Sequence, residues 1–106
     1  MLLNEFQEFF VQHQKNYVVD ESNRLPVLAL GLAGETGEAT ELIKKYLRDG
    51  HIDKQHYAKE LGDIMAYLAI LADYFGFTLE DVAQMVIAKN QARKINGSLH
   101  GSGDDR

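Results

Sequence analysis

The sequence contains no cysteine, and its one proline is Pro26. Disulfides and thiolate metal sites are therefore excluded, and the expected compartment is a reducing cytoplasm. Basic residues are also in short supply. Eleven Lys and Arg against 16 Asp and Glu give a net charge of −5, and no basic cluster is long enough to track a phosphate backbone. A nucleic acid polymer is not an expected partner, whereas a small anion bridged through metal cations is compatible with this charge. No apolar run approaches the roughly 18 to 20 residues that span a bilayer, so no membrane partner is expected. The N-terminal stretch MLLNEFQEFFVQHQKN lacks a basic n-region, and Asn4, Glu5, Gln7 and Glu8 interrupt its apolar residues. A signal peptide is not expected there. Strand signals are missing too, because β-branched residues never alternate with polar ones over a useful length.

What remains is helical. A chain of 106 residues, 45% hydrophobic and 25% charged, is sized and composed for one globular domain. Four stretches carry apolar residues at helical spacing. The first runs from about Leu2 to Tyr17, with Leu2, Phe6, Phe9, Phe10 and His13 on one side. A loop over Val18 to Asn23 leads to a second helix. Asn23 is its expected N-cap, Pro26 lies in its first turn, and Gly50 follows Asp49 at its end. Asp53 is expected to cap a third helix that stops near Gly76. Thr78 and Asp81 form the expected cap of a fourth, which fades near Ile95. The expectation is a single all-α domain over residues 1–97 and a C-terminal tail over 98–106.

Two short segments carry the candidate chemistry: Glu35-Thr36-Gly37-Glu38 and Glu60-Leu61-Gly62-Asp63. In each, two acids three residues apart share one side of a helix. Acid pairs at this spacing also occur at Glu5/Glu8 and Glu38/Glu41, and spacing alone points only to a solvated helix face. The face distinguishes two of them. At 100° per residue, Leu28, Leu32, Glu35, Ala39, Leu42 and Tyr46 form one stripe, with Glu38 on its shoulder and Glu41 and Lys44 opposite. In the third helix Glu60, Asp63, Ile64, Tyr67, Ile70 and Leu71 share a face. Carboxylates thus stand where packing calls for aliphatic side chains. Each uncompensated buried carboxylate costs several kcal/mol, so cations must neutralise the four. An all-oxygen donor set suits Mg²⁺, or Mn²⁺, rather than Zn²⁺. His51 and His56 are expected at the surface, not as ligands. Gly31, Gly34, Gly37 and Gly62 interrupt the same helices at about 1 kcal/mol each against Ala. Close helix approach and backbone access for metal-bound phosphates both account for them.

GLAGETGEATELIKKYLRDG followed by KELGDIMAYLAILADYFGFTLEDVA resembles the MazG-like nucleotide pyrophosphohydrolases. The signature is ExxE and ExxD, here Glu35/Glu38 and Glu60/Asp63 with 21 intervening residues. The resemblance implies an all-α fold, a dimer or dimer of dimers, and Mg²⁺ held by Glu35, Glu38, Glu60 and Asp63. It implies hydrolysis of a nucleoside triphosphate to monophosphate and pyrophosphate, in the housecleaning of nucleotide pools. Glu35 or Glu38 would also orient or deprotonate the attacking water. The family's Asn-x-x-Lys-x-x-x-Arg is matched by Lys89 and Arg93, with Val86 where the Asn would stand. On the wheel, Lys89 and Arg93 align with Val82 and Val86 as an inward stripe. The resemblance implies phosphate binding by this pair, while dipole compensation at the helix end is the plain alternative. Phe6, Phe9, Phe10 and His13 are candidates for a base pocket, or core. The tail Gly101 to Arg106 is expected either to close over the site or to be a free end.

Two other readings stay open from the sequence. One is a phosphoribosyl-ATP pyrophosphohydrolase, which shares the helical fold and the carboxylates. The other is a non-catalytic, metal-binding helical oligomerisation module. In all three cases the third helix, apolar almost all round, calls for cover beyond what one 12.0 kDa chain supplies.

Overall fold

In the computed structural model, which describes residues 1–14, 20–97 and 103, the chain is a helical assembly without strands among those residues. Helix α1 covers Leu3–Gln14, a 3-10 turn covers Glu21–Asn23, and α2 covers Arg24–Asp49. Helices α3 and α4 cover Lys54–Tyr74 and Leu79–Asn96. The all-α class follows directly. The expected extension of α1 to Tyr17 lies outside the described residues, as does nearly all of the tail.

The helix ends form where local chemistry places them. Gly50 adopts a left-handed φ of 81° and its N–H reaches the Tyr46 carbonyl at 2.8 Å. Asp53 then accepts from the N–H groups of Gln55 and His56, both at 3.1 Å, satisfying orphan donors of α3. At the other end of α3, Gly76 has φ 84°. Its N–H bonds to the Asp73 carbonyl and that of Phe77 to the Ala72 carbonyl, both at 2.9 Å, which is a Schellman closure. Thr78 and Asp81 form a reciprocal capping box. One expected cap is different: the Asn23 side chain makes no cap hydrogen bond, and Asp20 instead caps the 3-10 turn through Ser22.

Helices α2 and α3 pack as an antiparallel hairpin, and α1 lies across α3. The small core is Leu28 and Ala39 of α2, Ala66, Ala69 and Ile70 of α3, and Val11 of α1. Gln7 and Arg93 are the buried polar side chains among the described residues, and Gln7 is fully used. Its Nε2 donates to the carbonyls of Ala69 and Phe77, each at 3.0 Å, and its Oε1 accepts from Leu79 N–H at 3.1 Å. One amide thus ties α1 to the break between α3 and α4. The break turns the chain by 96°, so α4 leaves α3, touches α1 and does not pack on α2. No single described helix is long and apolar enough to cross a membrane.

Candidate active site

The α2–α3 hairpin brings Glu35 and Glu38 of α2 together with Glu60 of α3, with Glu35 and Glu60 half-buried and Glu38 and Asp63 exposed. Glu35, Glu38 and Glu60 each offer an oxygen, and these oxygens lie within 4.8 Å of one another. Oε2 of Glu35 and Oε2 of Glu60 are shut off from solvent with no hydrogen-bond partner. Desolvation pushes the Glu35 carboxyl above its ordinary value, and the negative charges of Glu38, Asp63 and Glu60 push in the same direction. Glu35 is half-buried, and its Oε2 is the atom most fully shut off from water. Glu41, on the far side of α2, is exposed.

Such a site is costly unless a cation enters it, since unpaired buried carboxylates repel and lack donors. The donor set is all hard oxygen. Glu35, Glu38 and Glu60 therefore fit a divalent cation of the Mg²⁺ or Mn²⁺ type. Asp63 stands apart from this tight group. It is exposed, yet it lies in the field of Glu35 and borders the same cleft.

The cleft opens beside the acids, with a volume of about 380 Å³. Phe10, His13 and Gln14 of α1 form one wall, and Tyr67 of α3 stands with Asp63 on the other. The four α1 candidates divide here. Phe10 and His13 border the cleft, while Phe6 packs on Phe10 with ring centroids 5.0 Å apart. Phe9 is largely exposed and stacks on His13 at an interplanar angle of 7°.

Gly31 is explained by close approach. A Cβ there would collide with the Tyr67 ring, so the missing side chain lets Tyr67 lie across α2. Gly34, Gly37 and Gly62 have open space where a Cβ would stand, so packing within one chain does not require them. His56 is exposed, as expected, and its Nε2 lies 3.2 Å from Glu60 Oε1. The i, i+4 spacing was the available signal.

Lys89 and Arg93 lie on α4, away from the cleft of their own chain. Neither borders the cleft, and α4 makes no packing contact with α2. Asp63 lies about 16 Å from the end of α3, and Lys89 about 15 Å from the start of α4, at 1.5 Å per residue. With a 96° turn between the axes, the separation is on the order of 20 Å. Of their expected stripe, Val82 and Val86 are exposed and Lys89 is half-buried. Arg93 is buried, and its Nη2 donates to the Gly103 carbonyl at 3.1 Å. The sequence did not single out Gln14 and read Tyr67 only as part of the apolar face.

Comparison with known proteins agrees with this architecture. Residues 25–97 match the MazG nucleotide pyrophosphohydrolase domain, a span that holds both acid pairs and the Lys89/Arg93 segment. The chain is also similar to Gene 37 protein of Mycobacterium phage L5, 40% identical over 92 residues, covering 82% of this chain and 81% of that protein. No solved structure matches significantly. With more than half its length matched by the family's domain, the chain belongs to the MazG nucleotide pyrophosphohydrolase family.

Proposed function

We propose that the protein is a Mg²⁺-dependent nucleoside triphosphate pyrophosphohydrolase that converts (d)NTP to (d)NMP and pyrophosphate. The supporting observation is the convergence of Glu35, Glu38 and Glu60 within 4.8 Å, with two buried orphan oxygens, beside an aromatic cleft. Glu35, Glu38, Glu60 and Asp63 hold the cation, or more than one. Bound Mg²⁺ (or Mn²⁺) supplies charge neutralisation at the phosphates and acidifies water. Glu35 or Glu38 takes the proton as water oxygen bonds to the α-phosphorus. The bond from that phosphorus to the bridging oxygen breaks, and pyrophosphate leaves with the electron pair. Phe10 and Tyr67 present apolar ring faces for a base. The expected result of a product assay on a nucleotide panel is pyrophosphate, with no orthophosphate, and only when Mg²⁺ or Mn²⁺ is present. Orthophosphate release, or no release from any nucleotide, overturns the reading.

The working form in this reading is a homo-oligomer, at least a dimer. The chain exposes 7907 Å², against about 6,000 Å² for a folded monomer of its mass. Leu30 and Leu47 of α2 are 72% and 84% exposed, and Met65 and Leu68 of α3 are also open to solvent. Met65, Leu68, Leu3, Val82 and Ala83 line an almost wholly apolar groove. A second copy covers such surfaces with like surfaces. It also gives Lys89 and Arg93 a route to the phosphates that their own chain denies them. Mixing Asp63→Asn with Lys89→Ala subunits should then restore about a quarter of wild-type activity, since half the dimers are mixed and each has one intact site. A stable monomer in sedimentation at micromolar concentration, or no recovery on mixing, contradicts this arrangement.

A further inference from the structure

One polar group on the wall of the cleft has its orientation fixed by its neighbours. Gln14 borders the cleft with Phe10, Glu35, Asp63 and Tyr67. Its Oε1 accepts from Arg24 Nη2 at 3.2 Å in a half-buried contact. A guanidinium has donors only, so the atom it meets must be the amide oxygen. The flipped amide would set donor against donor. Arg24 is held in turn. Its guanidinium lies over the Tyr74 ring, 5.5 Å from the centroid, and its Nη1 is 3.6 Å from Glu21 Oε1. As the first residue of α2, Arg24 is also fixed to the helix that carries Glu35. With the oxygen committed, the group Gln14 can offer the cleft is its NH₂.

A glutamine free to turn presents a donor and an acceptor side by side, and so can read adenine in a bidentate way. A glutamine held in this manner has its oxygen drawn to Arg24 and its NH₂ left to offer as donor. On the pairing edge the common bases differ at the exocyclic group and at the ring nitrogen beside it, and a lone donor placed at the exocyclic group reads that group. Pyrimidine C4 and purine C6 carry a carbonyl in uracil, thymine and guanine, and an amine in cytosine and adenine. A carbonyl accepts from the Gln14 NH₂. An amine sets donor against donor and leaves both groups unsatisfied. We infer that Gln14, held by Arg24, is a specificity-determining residue that selects nucleotides whose base carries this carbonyl. The inference rests on the nucleotide reading of the cleft and adds the base class to it.

The test measures binding apart from hydrolysis. Dissociation constants are measured by calorimetry, with Mg²⁺, for the α,β-imido analogues of dUTP and dCTP. Wild type should favour the uracil analogue by about tenfold, which is about 1.4 kcal/mol. Gln14→Glu keeps one oxygen on Arg24 and turns an acceptor to the cleft, so the preference should invert. Gln14→Leu should bind the two analogues equally. Arg24→Met frees the amide to turn, and the ratio should fall to within about twofold. Circular dichroism and melting curves check each variant's fold. If Gln14→Glu does not fold, the ratios in Gln14→Leu and Arg24→Met decide. Equal affinities in wild type, or a ratio that Gln14 and Arg24 substitutions leave unchanged, overturn the inference even if triphosphates are hydrolysed. A ratio that responds as stated while no nucleotide is hydrolysed leaves the inference standing and removes the pyrophosphohydrolase reading.

Discussion

Glu38→Gln and Asp63→Asn should each lower nucleoside triphosphate turnover about a thousandfold, while leaving the helical circular dichroism unchanged. The size follows from the charge these acids bring to bear. Losing one anionic ligand weakens cation binding and the charge stabilisation it gives, and about 4 kcal/mol of lost stabilisation is about a thousandfold in rate. The fold should survive because neither side chain carries packing. Glu38 and Asp63 are both exposed, and the core beside them is Leu28, Ala39, Ala66 and Ile70. Glu41→Gln is the control, three residues from Glu38 but on the outer side of α2. It should retain wild-type turnover. Steady-state kinetics of the three variants at saturating Mg²⁺ decides the matter. Turnover like wild type in both Glu38→Gln and Asp63→Asn removes the acids from the reaction.

The contrast between Glu38 and Glu41 also shows why this site could be read from sequence. A helix fixes the angular position of every side chain. A carboxylate on an apolar stripe can therefore be recognised before any partner helix is known. The same holds for helix ends, where Gly50, Asp53, Gly76 and the Thr78/Asp81 pair act within a few residues of themselves. What the wheel lacks is the angle between helices. Lys89 and Arg93 share a stripe with Val82 and Val86, but the closure at Gly76 turns α4 by 96° and carries that stripe away from the acids. Long-range polar partners are hidden for a related reason. Gln7 breaks an apolar pattern in the sequence, yet its amide finds Ala69, Phe77 and Leu79 more than 60 positions away. Tyr67 becomes a neighbour of Glu35 once α3 packs on α2, and Gln14 once α1 has packed on α3. Gly31 stood between two explanations until the Tyr67 ring chose close approach.

The same cluster should make stability depend on both Mg²⁺ and pH, in opposite directions. Below pH 4.5, the ordinary value for a glutamate, Glu35 is protonated in the folded and the unfolded chain alike. As pH rises past that point the unfolded chain releases its proton first. The folded chain holds on, because burial and the charges of Glu38, Asp63 and Glu60 raise its carboxyl. The folded state thus binds more protons in this window, and metal-free stability falls as pH rises through the raised folded value. Glu35→Gln removes that contribution, so the metal-free variant should lose less stability than wild type between pH 4.5 and 7. Cation binding has the opposite dependence, because the ligand form is the deprotonated one. The Mg²⁺-induced rise in melting temperature should therefore grow across the window. At a hundredfold excess over Kd, a cation that binds only the folded chain contributes about 2.7 kcal/mol. For a domain of this size that is a shift of roughly 10 to 20 °C. Glu35→Gln and Asp63→Asn should lose most of the shift, and Glu41→Gln should keep it. The measurement is a set of melting curves for wild type and these three variants, in millimolar Mg²⁺ and in chelator, at pH 4.5 and 7. A wild-type pH slope in metal-free Glu35→Gln shows that Glu35 is not the group under strain. A Mg²⁺ shift that survives in Glu35→Gln and Asp63→Asn but vanishes in Glu41→Gln places the cation on the outer face of α2 instead.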